Sequence, residues 1–213
     1  MRTSAGSVLT ERFEEALIFA AQLHRKQKRK TTGTPYISHL LVVSALVLED
    51  GGTEDQAIAA LLHDSIEDQA RYYPGGETQL RRDIRKRFGK EVLRIVEGCT
   101  EDYMVPPGAL EYIPWRELRR SYIEHTRQAD PAVRRVIAAD KLHNVRSLLS
   151  AFRYMGDRVW ERFQTKSGED QLWFYEEIAR VLAEKRDSPL AEELLAAVQA
   201  LRTALEATRK EQR

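Results

Sequence analysis

The chain has 213 residues, 34 Lys/Arg against 33 Asp/Glu for a net charge of +1, 42% hydrophobic residues and one cysteine. A chain of this size can bury a core without disulfides or structural zinc, and its charge balance gives no global pull towards nucleic acid or an anionic membrane. The lone Cys99 excludes an intrachain disulfide and a cysteine-rich zinc site. No apolar run reaches membrane-spanning length, and the first residues lack the apolar stretch of a signal peptide. A cytoplasmic enzyme or binding protein is the expectation.

Residues 9–24 place Leu9, Phe13, Ala16, Leu17, Ala20 and Leu23 at helical spacing. The stretch His24-Arg-Lys-Gln-Lys-Arg-Lys30 follows, with five Lys/Arg in seven residues. It is either a solvated helix end, where cations are favoured, or a basic rim for phosphates. Thr31-Thr-Gly-Thr-Pro-Tyr36 is a turn that stops the helix. Residues 36–49 read as a helix with His39 near its start; a lone His beside an apolar face is ordinarily a core residue with a satisfied ring. Asp50-Gly-Gly52 ends that helix, and Thr53 caps the next, with Glu54 and Asp55 in its first turn.

That next helix delivers Ala57-Ile-Ala-Ala-Leu-Leu-His-Asp-Ser-Ile-Glu-Asp68, apolar first and acidic last. Read as one continuous helix, it puts His63 and Glu67 one turn apart, with Asp64 and Asp68 beside them. Carboxylates four apart repel each other. A helix that keeps them beside its apolar side is a candidate for binding a cation, and His with Asp suits a divalent transition metal. The plain alternative is a solvated acidic helix end.

Residues 77–88 form a basic amphipathic pattern that Gly89 breaks, and Val92 to Thr100 another. Residues 101–114 hold Pro106-Pro107-Gly108 and Pro114; as the longest irregular segment they are a candidate lid. Trp115 to Ala129 reads as a helix, with Arg116, Arg119 and Arg120 expected in solvent. The helix from Pro131 to Leu149 is apolar almost all round between Val136 and Leu142, which predicts burial. Asp140 sits in its middle. A buried carboxylate needs a cation, a metal or several donors. Asn144, one turn on, shares that face; His143 and Arg146 are weaker candidates. Helices over 157–163, 169–184 and Pro189–Thr208 complete the chain. No alternating strand pattern occurs. The expected fold is all-α, a single domain over 1–213 of roughly eight to ten helices, given typical helix lengths.

His39, then His63-Asp64, then Asp140 follows the ligand order of the HD-domain metal-dependent phosphohydrolases. Gln27-Lys-Arg-Lys, Gly33-Thr-Pro-Tyr-Ile-Ser-His39, Ala59-Ala-Leu-Leu-His-Asp-Ser-Ile-Glu-Asp68, Phe88-Gly89 and Ala139-Asp-Lys-Leu-His-Asn144 together resemble the hydrolase domain of the Rel/SpoT enzymes, and most of all the stand-alone small alarmone hydrolases. The resemblance spans about residues 10–150, with several separated motifs in order. It implies an HD-type helical bundle, with 151–213 completing it. The activity implied is hydrolysis of the 3′-pyrophosphate of a nucleotide such as (p)ppGpp with Mn(II), another divalent first-row ion being the alternative. On this pattern His39, His63, Asp64 and Asp140 ligate the metal. Glu67 and Asp68 handle the attacking water. Arg29 and Lys30 match basic residues at the purine, and Asn144 a residue close to metal and ribose. The partner expected is thus a small nucleotide, with no nucleic acid and no membrane.

The sequence departs from the pattern at Leu40, where the Rel enzymes usually have Pro, and at Gln69, where they usually have Thr. Thr31-Thr32-Gly33 is one residue longer than their turn. These departures leave open an HD hydrolase for another phosphorylated nucleotide, adenine alarmones included, and a nucleotide-binding regulator without catalysis.

Overall fold

A computed structural model describes residues 8–100 and 113–211. Nine α-helices are found among them: α1 Glu11–Leu23, α2 Ile37–Glu49, α3 Glu54–Leu62, α4 Gly76–Phe88, α5 Lys90–Cys99, α6 Trp115–Gln128, α7 Pro131–Met155, α8 Gly168–Lys185 and α9 Leu190–Glu211. No named strand occurs among the described residues, and an isolated antiparallel bridge joins Lys28 to Pro35. No helix of the described residues is long and apolar enough to cross a membrane. Most of the segment expected as a lid, residues 101–112, lies outside the described residues.

Helix starts follow local chemistry. Thr53 accepts from Gln56 N while the Gln56 side chain accepts from Thr53 N, a capping box that opens α3. Asp130 accepts from Ala132 N at 2.9 Å and Val133 N at 3.3 Å, with Pro131 in the first turn of α7. Ser167 does the same for Asp170 N at α8.

Two helices carry the centre of the molecule. Ala57 to Leu62 of α3 are all 0% exposed, and Val136 to Leu142 of α7 are all buried. A helix apolar all round must be enclosed on every side. Accordingly, α3 packs against α1, α2, α5 and α7, and α9 lies along both α7 and α8. α5 and α7 approach closely at Gly98, where an added Cβ would meet Val133 Cγ2 at 2.7 Å. Asp50, at the end of α2, accepts from Arg135 Nε of α7 and from Ser188 Oγ before α9, both at 2.7 Å. One connected set of buried hydrophobics runs from Ala16 to Leu205.

The continuous helix expected over 57–68 does not form. α3 ends at Leu62, Asp64 sits at φ −93°, ψ 1°, and Ser65–Gln69 winds as a π turn before a 3-10 turn, Ala70–Tyr72. The basic run is not a helix end either. α1 stops at Leu23, and Lys28 to Pro35 fold back as a bridged turn, with Arg29 N donating to Thr34 O and Gly33 N to Arg29 O. Gly33 takes φ +73° there, a conformation that side chains disfavour. The last helices run longer than their sequence patterns, and residues 156–162 wind as a 3-10 segment.

The Asp130 cap gives a direct test. Asp130→Ala should cost about 1–2 kcal/mol, read as a fall in Tm of about 2–4 °C per kcal/mol for a chain of this size. Burial raises the Asp130 carboxyl, but Arg94 and the two cap amides outweigh it and hold it below the usual carboxylate range. A lowered folded pKa stabilises above the unfolded value and is lost as pH falls through the folded one. The wild-type advantage should therefore stand at neutral pH and shrink below about pH 4.

Candidate metal centre and nucleotide chamber

Three helices bring the sequence-selected residues together. His39 lies in the first turn of α2, His63 at the C-terminal end of α3 with Asp64 after it, and Asp140 in the buried stretch of α7. His39, His63 and Asp140 each present a ligand atom within 4.8 Å of the other two. His39 Nε2 is 3.1 Å from Asp140 Oδ1, and His63 Nε2 is 3.0 Å from Asp64 Oδ2. Asp64 Oδ2 also lies 3.6 Å from His39 Nε2.

Hydrogen bonds on the far side of each ring set its orientation. His63 Nδ1–H donates to Ala60 O at 2.8 Å, so Nε2 is the nitrogen left for the centre. His39 Nδ1 meets His143 Nδ1 at 2.6 Å. If His39 donates here, its Nε2 carries a lone pair and His143 is the neutral acceptor. Burial, with the Arg29 cation adding to it, pushes His143 down to about 4, which keeps it neutral. His143 Nε2 lies 3.4 Å from Ser147 Oγ, consistent with that tautomer.

Both Nε2 atoms are buried and make no hydrogen bond among the described residues, and each lies within 3.1 Å of a carboxylate oxygen. Buried polar atoms without a partner are costly, and two of them converging beside carboxylates is the donor set of a first-row divalent ion. The residues present fit such an ion. Burial raises the Asp140 carboxyl, but Lys141 and the two imidazoles bring it well below the usual range. Asp64 is likewise raised by burial and brought well below that range, chiefly by His63 and His39. Both stay anionic. Tyr36 OH donates to Asp64 Oδ2 at 2.6 Å, Lys141 Nζ lies 2.9 Å from Asp140 Oδ2, and Asn144 Nδ2 donates to Asp140 Oδ1 at 2.5 Å.

A recess of about 140 Å³ lies over these groups, between His63, Asp64, Asp140, Cys99 and Tyr122. It adjoins a chamber of about 320 Å³ that shares Arg29, Tyr36, Asp64, Glu67, Lys141 and Asn144. The chamber walls hold Lys28, Lys30, Arg119 and Arg162 together with Trp115, Phe163 and Phe174. Glu67 and Asp68 line it; Glu67 is exposed and Asp68 half-buried. Burial and Asp64 raise the Asp68 carboxyl, against a hydrogen bond from Gln27. Arg29 lies over the Tyr36 ring and donates to Asn144 Oδ1 at 2.7 Å, which links the basic turn to Asp140.

Several expectations shift. Arg119 lines the chamber instead of facing bulk solvent, its guanidinium 5.4 Å from the Trp115 ring and 5.1 Å from Phe174. Lys28, exposed like Lys26, borders the chamber, and Lys26 does not. The cation beside Asp140 is Lys141, its neighbour in sequence. Tyr36 and Lys141 lie inside the sequence motifs without an assigned role; an aromatic hydroxyl three residues before His39 and a cation next to a buried acid are their signals. His143, rated a weaker candidate, touches a ligand ring. Arg162, from the 3-10 segment, gave no signal in the sequence.

Residues 16–168 match the family model described as HD domain. The guanosine-3′,5′-bis(diphosphate) 3′-pyrophosphohydrolase MESH1 of Xenopus tropicalis is 35% identical over 158 residues, 72% of this chain and 79% of that protein. Its Homo sapiens counterpart is 36% identical over 137 residues, 63% of this chain and 68% of that protein. The solved structure described as a metazoan ortholog of SpoT that hydrolyzes ppGpp superimposes with a TM-score of 0.69 at 24% identity, covering 93% of this chain and 99% of that one. A Listeria monocytogenes crystal structure follows at 0.61 and 28%, covering 76% and 96%.

The metal fit is testable without substrate. Mn(II) should raise the Tm of wild-type protein, by the equivalent of about 2.7 kcal/mol at a hundredfold excess over its Kd. Asp140→Asn should abolish that rise. A Tm indifferent to Mn(II), Zn(II) and Fe(II) alike would show that the donor set holds no ion.

Proposed function

The chain belongs to the HD-domain family, and on that premise we propose that it is a metal-dependent hydrolase removing the 3′-pyrophosphate of an alarmone nucleotide such as (p)ppGpp. The observation that carries the reading is the pair of buried His Nε2 atoms that converge on the carboxylates of Asp64 and Asp140, opening into a chamber walled by cations and aromatic rings. The names of the relatives supply the substrate class. We take Mn(II) as the resident ion, 1–213 as one HD-type unit whose C-terminal helices complete the bundle, and the cytoplasm as its place of work.

His39, His63, Asp64 and Asp140 would hold the metal. When bound, the ion supplies Lewis-acid polarisation of a phosphoryl oxygen and a lowered pKa for water. The rest falls to the chain. Glu67 and Asp68 face the chamber and can accept a proton from the attacking water. The raised Asp68 carboxyl makes it a better proton acceptor than an ordinary Asp. Arg29 and Lys30 offset ligand charge, and a guanidinium already lying on Tyr36 can stack on a base as well. Asn144 is held between Arg29 and Asp140, placed to meet the ribose beside the reacting phosphate. Water adds to phosphorus, the bond from phosphorus to the 3′ oxygen breaks, and ppGpp yields GDP and pyrophosphate.

Purified protein with Mn(II) should release GDP and pyrophosphate from ppGpp, and leave GTP intact, by chromatography. Glu67→Ala should keep its metal while turnover falls roughly 10²–10⁴-fold, the range for an acid–base group. Turnover of Glu67→Ala at the wild-type rate would remove that role.

Arg29→Ala should chiefly lower kcat/KM, by about ten- to hundredfold, the worth of one charge-assisted contact. Lys26→Ala is the control and should be nearly silent. Equal, small effects of the two variants on initial rates would reduce the turn to a solvated one.

A further inference from the structure

The bridged turn carries a second group towards the centre besides Arg29. Gln27 lies two residues before Arg29, its backbone fixed by Tyr36 N, which donates to Gln27 O at 3.0 Å, and by its own N donating to His24 O at 3.0 Å. Its side chain has three partners. Nε2 donates to Asp68 Oδ2 at 2.6 Å; Oε1 lies 2.7 Å from His24 Nδ1 and accepts from Gln69 Nε2.

The polarity of this network is determined. An ionised carboxylate only accepts, so the amide must turn its NH₂ towards Asp68 and its carbonyl away. The carbonyl then faces two groups that can donate, the Nδ1–H of His24 and the amide of Gln69. The opposite orientation would set Oε1 against the carboxylate, so Asp68 fixes the amide and His24 and Gln69 answer its carbonyl. His24 is held in turn: it is 2% exposed, and its ring stacks on Tyr36 with centroids 5.2 Å apart and planes 14° apart. Asp68 Oδ1 accepts no hydrogen bond from a described residue, and Asp68 lines the chamber.

We propose that Gln27 is a positioning residue for Asp68: its amide, with the carbonyl held by His24 and Gln69, anchors Oδ2 and leaves Oδ1 to face the reacting water. This rests on the reading of Asp68 as a water-handling acid. His24 and Gln69 act one step further out. Each supplies half of the lock, and neither lies among the groups assigned to metal or substrate. Gln69 is one of the positions at which this chain departs from the pattern it resembles, so part of the lock is this chain's own.

The test combines a double-mutant cycle with a measurement that needs no turnover. Gln27→Met should lower kcat roughly tenfold, the worth of a hydrogen bond to a charged group, with KM and bound Mn(II) unchanged. In an Asp68→Asn background the same substitution should change nothing further. His24→Phe and Gln69→Met should each cost about threefold, and together reproduce Gln27→Met. Losses that multiply independently of Asp68 would overturn the proposal. In protein labelled with ¹⁵N at glutamine, the Gln27 side-chain amide should show one proton shifted downfield and slow to exchange. Asp68→Asn and Gln69→Met should both move it, and Glu67→Ala should not. An amide that exchanges like a solvated side chain and ignores Asp68→Asn defeats the proposal whether or not ppGpp is turned over. If the nucleotide is untouched but the amide behaves as stated, the substrate reading fails and the lock stands.

Discussion

Two buried imidazole nitrogens converging on two anions set the terms for the whole structure. Such a cluster is costly in an apolar interior unless every charge is answered. Its members come from α2, the end of α3 and the middle of α7, so these three helices must meet at one height. The solution is an apolar collar: Ala57 to Leu62 below His63, and Val136 to Leu142 around Asp140. The small residues Ala57, Ala59, Ala60, Ala138 and Ala139 let the helices come close. Lys141 answers part of the negative charge and spreads its own over Tyr122, its Nζ 4.7 Å from the ring centroid.

Charge is graded along the cavity. The recess sets Asp64, Glu67 and Asp140 against Arg29 and Lys141; the chamber sets Asp64, Glu67 and Asp68 against a larger group of Lys and Arg. An anion is drawn in by the outer wall and then meets Asp64 and Asp140, which repel it. The centre thus favours a phosphorylated ligand only when a cation sits between the two, which makes metal and substrate parts of one electrostatic arrangement.

Much of this was legible in the sequence, for a physical reason. Amphipathic periodicity and capping residues are local, and α1, α2, α4, α5 and α7 follow from them. Asp140 announced itself because an acid inside an all-apolar run has few explanations. Periodicity failed at Asp64, where the backbone leaves the helix although residue types continue the pattern; the π turn is recorded only in φ and ψ. It failed again at the basic run. Whether cations end a helix or line a turn depends on the pairing of Lys28 with Pro35 across Gly33, which composition does not encode. Arg119 and Arg162 were misplaced or missed because their role depends on α8 and the 3-10 segment folding back across the chamber, a long-range contact with no local signature.

That folding back divides responsibility within the cavity. Arg162 donates through Nη1 to the carbonyls of Lys30 and Thr31, at 2.7 and 3.1 Å, so the C-terminal third grips the turn that bears Arg29. Gln171, Phe174 and Tyr175 of α8 add to the same wall, while His39, His63, Asp64 and Asp140 all lie before residue 141. The buried centre thus comes from the earlier stretch of chain, while the later stretch supplies part of the chamber wall. A change in the later stretch can reshape that wall while leaving His39, His63, Asp64 and Asp140 undisturbed, so the cavity can drift in form without unsettling its buried end.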